Sequence, residues 1–181
     1  DMYDYAVKQA MLGKQTYVVC PHIEDDEESD MPSVERVYAY LRKRFPDAPV
    51  AMLHGRMREQ QKQAAIQAFR AGETGILIST TVIEVGVHVE KASIMIIEGA
   101  DRFGLSQLHQ LRGRVGRGNA QAYCFLLPQK DESRVSERLT VMTETNDGFE
   151  IAQRDLLLRG PGDFWGTRQH GQSDAALMAA A

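Results

Sequence analysis

Short apolar segments alternate with segments of helical periodicity along most of this 181-residue chain. Each apolar segment is nearly continuous in hydrophobic residues, which is the pattern of strands whose two faces are both buried. Between these segments, apolar residues recur every three or four positions, as they do on one face of a helix. The apolar segments are QTYVVC, PVAML, GILIS, SIMIIEGA and QAYCFLL. Because strands and helices alternate, the sequence predicts an α/β fold built on a doubly wound parallel sheet.

The pattern changes after Pro128. Two segments, ESRVSERLTVMTET and GFEIAQRDLLL, flank the turn signal Asn146-Asp147-Gly148 and predict a pair of helices. The glycine-rich, aromatic stretch RGPGDFWGTRQHG follows and shows no regular period. We therefore expect an α/β domain over residues 1–130 and a small appendage, a helical hairpin with a loop, over residues 131–181.

The amino-acid composition narrows the class of protein. Hydrophobic residues make up 43% of the chain and charged residues 25%, the usual proportions of globular proteins. No apolar run reaches the roughly 18 residues of a membrane span, and the first residues do not resemble a signal peptide. Cys20 and Cys124 lie in strand-like runs, where we expect buried thiols rather than a disulfide or a metal site. These features predict a cytoplasmic protein without a metal centre.

The negative charge of the chain is concentrated in one segment. The formal net charge is −4, yet six acids and no base lie between His22 and Pro32, so the rest of the chain carries +2. This acidic segment has no apolar periodicity and is typical of a surface loop. The net charge therefore does not exclude a local basic surface that binds nucleic acid.

The segment QLHQLRGRVGRG, residues 107–118, combines three arginines with three glycines. On a helix, three of its apolar residues form one stripe: Leu108, Leu111 and Val115. Gln110, Arg114 and Arg117 share the opposite face, beside Gly113. Guanidinium groups suit phosphate or carboxylate oxygens. Spacing alone leaves two interpretations, a phosphate site or a solvated face whose arginines pair with nearby acids, and Arg112, nearer the apolar side, suits a structural salt bridge.

Polar residues follow three of the predicted strands. His54 and Gly55 come after PVAML, the segment Ser79–Thr81 ends the next strand, and Asp101 follows SIMIIEGA. Open parallel sheets bind ligands at the carboxyl ends of their strands. We expect these residues at one edge of the sheet, where hydroxyl and imidazole groups can contact phosphates.

In their order and spacing, LHGR, STTVIEVGVHV and QLHQLRGRVGRG resemble motifs of the second RecA-like domain of superfamily-two helicases. The similarity is greatest to RecG-type ATP-dependent DNA helicases, which remodel branched DNA such as stalled replication forks. The later stretch DGFEIAQRDLLLRGPGDFWGTRQHG also resembles that family. The resemblance covers nearly the whole chain except the acidic segment and the extreme C-terminus.

The resemblance implies a RecA-like fold that forms one half of a motor. The chain contains no G-x-x-x-x-G-K-[ST] loop and no Asp-Glu box after a strand. In helicases of this kind those elements belong to a first RecA-like domain, which binds most of ATP and Mg²⁺ in the cleft between the two domains. The expected partners are therefore that first domain and branched or duplex DNA, and this chain alone is expected not to hydrolyse ATP.

The resemblance also assigns roles within the arginine segment. Arg117 matches the arginine finger, and Arg114 matches a second contact to the γ-phosphate. Gln110 matches the leading polar position, which orients the network. A positioned guanidinium is able to accelerate phosphoryl transfer by about 10³–10⁵.

Residues 80–88 match the motif that couples the nucleotide cleft to DNA. Thr80 and Thr81 are the matching DNA contacts, together with the LHGR loop, although an ordinary strand-end cap is the alternative for Thr80. Glu84 and Gly86 match nucleotide-site positions. His88 stands where many relatives have an aspartate, which leaves the ribose contact open because a neutral histidine carries no charge.

The appendage resembles the translocation motif that RecG-type helicases share with transcription-repair coupling factors. Matching positions are Arg138, Arg159 and Gln169, which would relay motor closure to duplex DNA. For Phe164 and Trp165 we expect packing in the protein core rather than stacking on nucleic-acid bases.

Two alternatives remain at the level of sequence. One is the corresponding part of a transcription-repair coupling factor, which the stretch PGDFWGTRQHG disfavours. The other is a nucleic-acid-binding module without catalysis, which the missing phosphate loop favours if the chain works alone. The length of the natural open reading frame upstream would distinguish them.

Overall fold

The computed structural model describes residues 2–22, 33–80, 89, 92–116, 121–129 and 133–159, without the side chains of residues 133–136 and 159. Five strands are present: β1 Gln15–Cys20, β2 Val50–Leu53, β3 Ile76–Thr80, β4 Ala92–Glu98 and β5 Tyr123–Leu127. The α-helices are α1 Met2–Met11, α2 Val34–Arg44, α3 Glu59–Ala71, α4 Leu105–Arg112, α5 Ser133–Glu144 and α6 Gly148–Arg159. Each predicted strand is confirmed.

The strands form one sheet in the order β2-β3-β1-β4-β5, and every pair is parallel. β1 lies at the centre, with Val18 level with Ile78 of β3 on one side and Ile96 of β4 on the other. The chain moves from one side of β1 to the other between β3 and β4. This is the predicted doubly wound α/β sheet.

Helices cover both faces of the sheet, which explains why its strands are apolar throughout. One face packs on α1 and α2 through Ala6, Val34 and Leu41. The other face packs on α3 and α4, and four hairpin residues join the same apolar cluster: Leu139, Val141, Met142 and Ile151. The hairpin of α5 and α6 therefore shares a hydrophobic core with the sheet.

Helix ends follow the local sequence. Ser33 caps α2, where its Oγ accepts a hydrogen bond from the Arg36 backbone N–H at 3.0 Å. α3 ends at Gly72, which has a φ of 81° and so adopts the left-handed conformation that favours glycine. Both ends were predicted from these residue types.

One helix is shorter than its sequence pattern predicts. α4 ends at Arg112, so Arg114 lies on the following turn rather than on the helix face that it was predicted to share with Gln110. The N–H groups of Arg114 and Val115 bond to carbonyls three residues back, and Gly116 has a φ of 77°. Gly116 also donates its N–H to the Ala92 carbonyl of β4 at 3.3 Å. The predicted core stripe is present, since Leu108 and Val115 are buried and Leu111 packs against them.

Across the described ranges, no helix is both long enough and apolar enough to span a bilayer. The acidic segment and the aromatic residues Phe164 and Trp165 lie outside the described residues.

Candidate functional site

The carboxyl edge of the sheet brings His54 and Thr80 together, as predicted. Leu53 of β2 is level with Ser79 of β3, so the residues that follow them are neighbours. His54 Nδ1 and Thr80 Oγ1 are both buried, and among the described residues neither has a hydrogen-bond partner. An unsatisfied buried polar group costs about 1–3 kcal/mol. Next to them, Gly55 is exposed and has open space where a Cβ would lie.

Asp101 also lies beyond the carboxyl end of a strand, but its carboxylate has a structural contact. It lies in the short 3₁₀ helix Ala100–Arg102, after β4. Its Oδ1 accepts a hydrogen bond from the Gln129 backbone N–H at 2.7 Å. The side chain thus ties the turn after β4 to the chain that leaves β5.

The turn after α4 that carries Arg114, residues 113–116 and here called the arginine turn, lies at the opposite, amino edge of the sheet. Gln110 is exposed in the last turn of α4, and Arg114 is half-buried just beyond it. Burial raises the pKa of Tyr17 to about 12, while the nearby charges of Arg114 and Arg70 act in the opposite direction. The charges of two guanidinium groups from different elements therefore act on one hydroxyl. Arg70, at the end of α3, was not singled out from the sequence, because only the packing of α3 and α4 on the same face of the sheet brings both arginines near Tyr17.

The structure separates the strand-end residues from the arginine turn. The Gly116 N–H contacts Ala92, the first residue of β4, whereas His54 and Thr80 lie at the other ends of β2 and β3. A strand rises about 3.3 Å per residue, so strands of this length hold the two groups well apart. The fold thus offers two separate candidate surfaces.

Arg138 joins the hairpin to the sheet domain. Its guanidinium donates to the Asp101 carbonyl at 3.2 Å and to the Phe103 carbonyl. Its Nε lies 3.7 Å from Oδ1 of Asp155, a buried acid on α6. One side chain of α5 therefore contacts both α6 and the turn after β4.

Arg112 forms a second junction. It donates to the carbonyls of Met142 and Thr145 at 2.6 and 3.0 Å, and its other terminal nitrogen lies 3.1 Å from Nδ1 of His109. The sequence suggested a structural salt bridge for Arg112, but these contacts are with backbone carbonyls rather than acids. His109 was not predicted, because nothing in its local spacing marks it.

Several predicted site residues lie outside the described residues, so their roles stay predictions. These are Thr81, Glu84, Gly86, His88, Arg117, Gln169 and the side chain of Arg159.

Cys20 is a buried thiol, as predicted, whereas the Cys124 thiol is only half-buried. Burial raises the pKa of Cys20 and raises that of Cys124 to about 11. Within the part of the chain that the structure describes, no group of three or more His, Cys, Asp or Glu residues is placed to hold a metal ion.

Comparison with known families identifies the α/β domain. The sequence model of the helicase conserved C-terminal domain matches residues 2–119. The chain belongs to that helicase family. A second model, of the C-terminal part of domain 3 of the ATP-dependent DNA helicase RecG, matches residues 145–179.

Individual RecG proteins show the same relationship, which confirms the predicted resemblance to RecG-type helicases. The chain is 49% identical to the ATP-dependent DNA helicase RecG of Synechocystis over 179 residues, covering 98% of this chain and 22% of that protein. It is 45% identical to the RecG helicase of Bacillus subtilis, and the match covers 96% of this chain and 26% of that protein. The chain thus spans about a quarter of the length of these relatives.

Solved helicase structures have the same fold. RecG bound to a three-way DNA junction matches with a TM-score of 0.70 at 42% identity, over 90% of this chain and 21% of that one. Domain 2 of the DEAD-box helicase Mss116p, bound to an RNA duplex, matches with a TM-score of 0.61 over 80% of this chain and 53% of that one. At 18% identity, the second match supports the RecA-like fold alone.

Proposed function

We propose that this chain is the C-terminal motor half of an ATP-dependent DNA helicase or translocase that remodels branched DNA, such as stalled forks and recombination intermediates. The observation that carries the proposal is that one chain matches the helicase domain and then the C-terminal part of RecG domain 3. The solved RecG complex contains a three-way DNA junction, which supports branched DNA as the substrate.

The nucleotide side of the proposal concerns the arginine turn. Arg117 serves as the arginine finger, Arg114 as the second phosphate contact, and Gln110 orients them. ATP and Mg²⁺ are bound mainly by a first RecA-like domain of the same polypeptide, and bound ATP supplies the phosphoryl group whose charge the guanidinium groups stabilise. The charges of Arg114 and Arg70 both act on Tyr17, which supports a positive local potential that suits a polyphosphate. Three residues outside the described part complete the proposed nucleotide site: Glu84, Gly86 and His88.

The DNA side of the proposal concerns the carboxyl edge. Thr80, Thr81, His54 and Gly55 would contact the phosphate backbone there. Two observations support this placement: the buried polar atoms of His54 and Thr80 at neighbouring strand ends, and the open space at Gly55, which lets a backbone approach closely.

The hairpin would relay motor closure to DNA through Arg138, Arg159 and Gln169. The contacts of Arg138 with the turn after β4 and with Asp155 of α6 support this role. A side chain that bridges three elements transmits a displacement of any one of them to the others.

The test is the rate of ATP hydrolysis by a protein that joins this chain to a first RecA-like domain. Arg117→Ala should lower turnover by about 10³-fold or more and leave nucleotide affinity nearly unchanged. A finger acts on charge that develops in the transition state rather than on the bound ground state. Arg114→Ala should lower turnover in the same sense.

Arg102→Ala is the matched control, because Arg102 is an exposed arginine of the turn after β4 and should leave turnover unchanged. The 181-residue chain by itself should hydrolyse no ATP. Equal turnover by Arg117→Ala and the parent would remove the finger role, and DNA-stimulated turnover by the isolated chain would overturn the half-motor proposal.

A further inference from the structure

The last turn of α5 depends on a side chain from another helix. The final carbonyls of an α-helix have no partner within the helix. Here Arg112 of α4 donates to the carbonyls of Met142 and Thr145 at 2.6 and 3.0 Å. A cation at this position also interacts favourably with the helix dipole. Arg112 therefore acts as a cap for α5 that is supplied by the sheet domain.

His109 completes this junction on the side of α6. A guanidinium donates hydrogen bonds and accepts none, so at 3.1 Å His109 Nδ1 is the acceptor for Arg112. This contact is a hydrogen bond in the tautomer whose proton is on Nε2. On the other side of the ring lies Gly148, the first residue of α6, where an added Cβ would lie only 2.9 Å from Nε2. The ring is held between Arg112 and α6.

The same residues form the base of the arginine turn. Arg112 is the last residue of α4, and its carbonyl accepts the N–H of Val115 at 3.3 Å, while the N–H of Arg114 bonds to Leu111 at 3.0 Å. The backbone of Arg112 thus closes the turn that carries Arg114, and its side chain is bound to the hairpin. A shift of the hairpin must either break these hydrogen bonds or move the turn.

We propose that Arg112, His109 and Gly148 form a clamp through which the hairpin sets the position of the arginine turn. Arg112 and His109 are then positioning residues that make ATP hydrolysis depend on DNA held at the hairpin. This inference rests on the proposed function. It is distinct from the proposed relay through Arg138, which contacts the turn after β4 at the other end of α4.

The first test uses Arg112→Gln in the protein that joins this chain to a first RecA-like domain. The measured quantity is the ratio of hydrolysis with a forked DNA duplex to hydrolysis without DNA. The variant should reduce this ratio by about tenfold, within the usual range of coupling between linked sites. Arg112→Lys should restore part of this ratio. A single ammonium group is able to donate to the Met142 and Thr145 carbonyls but does not reach His109 as well.

Arg154→Gln is the matched control. Arg154 pairs with Glu144 and Glu150 inside the hairpin, so its loss should weaken the hairpin without opening the clamp, and the ratio should stay near that of the parent. The thermal melting of every variant is measured to check that the variant still folds.

The second test adds a single methyl group to the clamp. Gly148→Ala should displace the His109 ring and lower the DNA stimulation ratio, although alanine is the better helix former. In a His109→Ala background the same change should have no further effect, since the ring that it displaces is gone. Such a double-mutant cycle isolates the contact itself.

The outcomes separate the two proposals. A parent without DNA-stimulated hydrolysis would overturn the proposed function. If the parent is stimulated by DNA and Arg112→Gln is stimulated equally, the clamp alone is overturned. The same conclusion follows if Gly148→Ala lowers the stimulation ratio equally with and without His109.

Discussion

At the scale of single residues, Glu98 at the end of β4 shows how burial changes the chemistry of a carboxyl group. The Tyr3 hydroxyl of α1 donates to Glu98 at 2.5 Å. Burial raises the pKa of Glu98, and this hydrogen bond lowers it by a smaller amount. Because the pKa is higher in the folded than in the unfolded chain, the favourable contribution of Glu98 is fully present below the unfolded pKa and is lost as the pH rises through the folded pKa.

Glu98→Gln should therefore raise the melting temperature at about pH 7, and the gain should disappear at about pH 4, where glutamate is largely protonated. The amide keeps an oxygen that accepts from Tyr3 and carries no charge to bury. Glu150→Gln is a control that should instead lower the melting temperature at about pH 7, since hydrogen bonds from Thr145 and Arg154 lower the pKa of Glu150. A Glu98→Gln protein that melts below its parent at neutral pH would contradict the account.

At the scale of elements, the sequence predicted the strands because burial of both sheet faces leaves a continuous apolar signal. Ser33 and Gly72 marked helix ends for equally local reasons. The end of α4 could not be predicted in the same way. The chain stops being helical after Arg112 and the Gly116 N–H donates to the carbonyl of Ala92, a residue that is distant in sequence. The placement of His54 and Thr80 at neighbouring strand ends follows from parallel strands alone. The hydrogen bonds of Arg112 and Arg138 are made mostly with backbone carbonyls, which carry no residue-type signature.

The hairpin should be the least stable element without Arg138. Arg138→Met removes the donor for the Asp101 and Phe103 carbonyls and leaves the buried acid Asp155 without this cation. Leaving buried or partly buried polar groups without their hydrogen-bond donor costs about 1–3 kcal/mol. Amide hydrogen exchange, resolved by peptide, should quicken across α5 and α6, while β1 and β3 stay protected because their core lies between helices on both faces.

Arg102→Ala provides the comparison for that experiment, since it removes an exposed arginine from the same turn. It should leave exchange in both helices unchanged. Uniform acceleration over the sheet and the hairpin after Arg138→Met would mean that the two unfold as one unit, contrary to the prediction.

At the scale of the whole molecule, the fold separates two surfaces by the length of the sheet. The candidate DNA contacts lie at its carboxyl edge and the arginine turn at its amino edge, with the hairpin packed against the α3 and α4 face. The proposed coupling between the two edges would therefore pass through packed elements. α4 contacts the hairpin through Arg112 and leads directly into the arginine turn.

The charge distribution of the whole chain leads to the last prediction. Six acids lie between His22 and Pro32 and oppose binding to a polyanion, whereas the rest of the chain carries +2. We expect the 181-residue chain to bind forked duplex DNA weakly, with an affinity that falls steeply as salt rises, because each phosphate contact releases counterions.

Replacing the six acids by their amides should tighten binding at low salt. The variant and the parent should converge at about 1 M salt, where the screening length is only about 3 Å. Fluorescence anisotropy of labelled forked and linear duplexes across a salt series measures both slopes. Tight binding that persists at high salt would instead indicate contacts other than phosphates, and would favour a self-sufficient nucleic-acid-binding module over half of a motor.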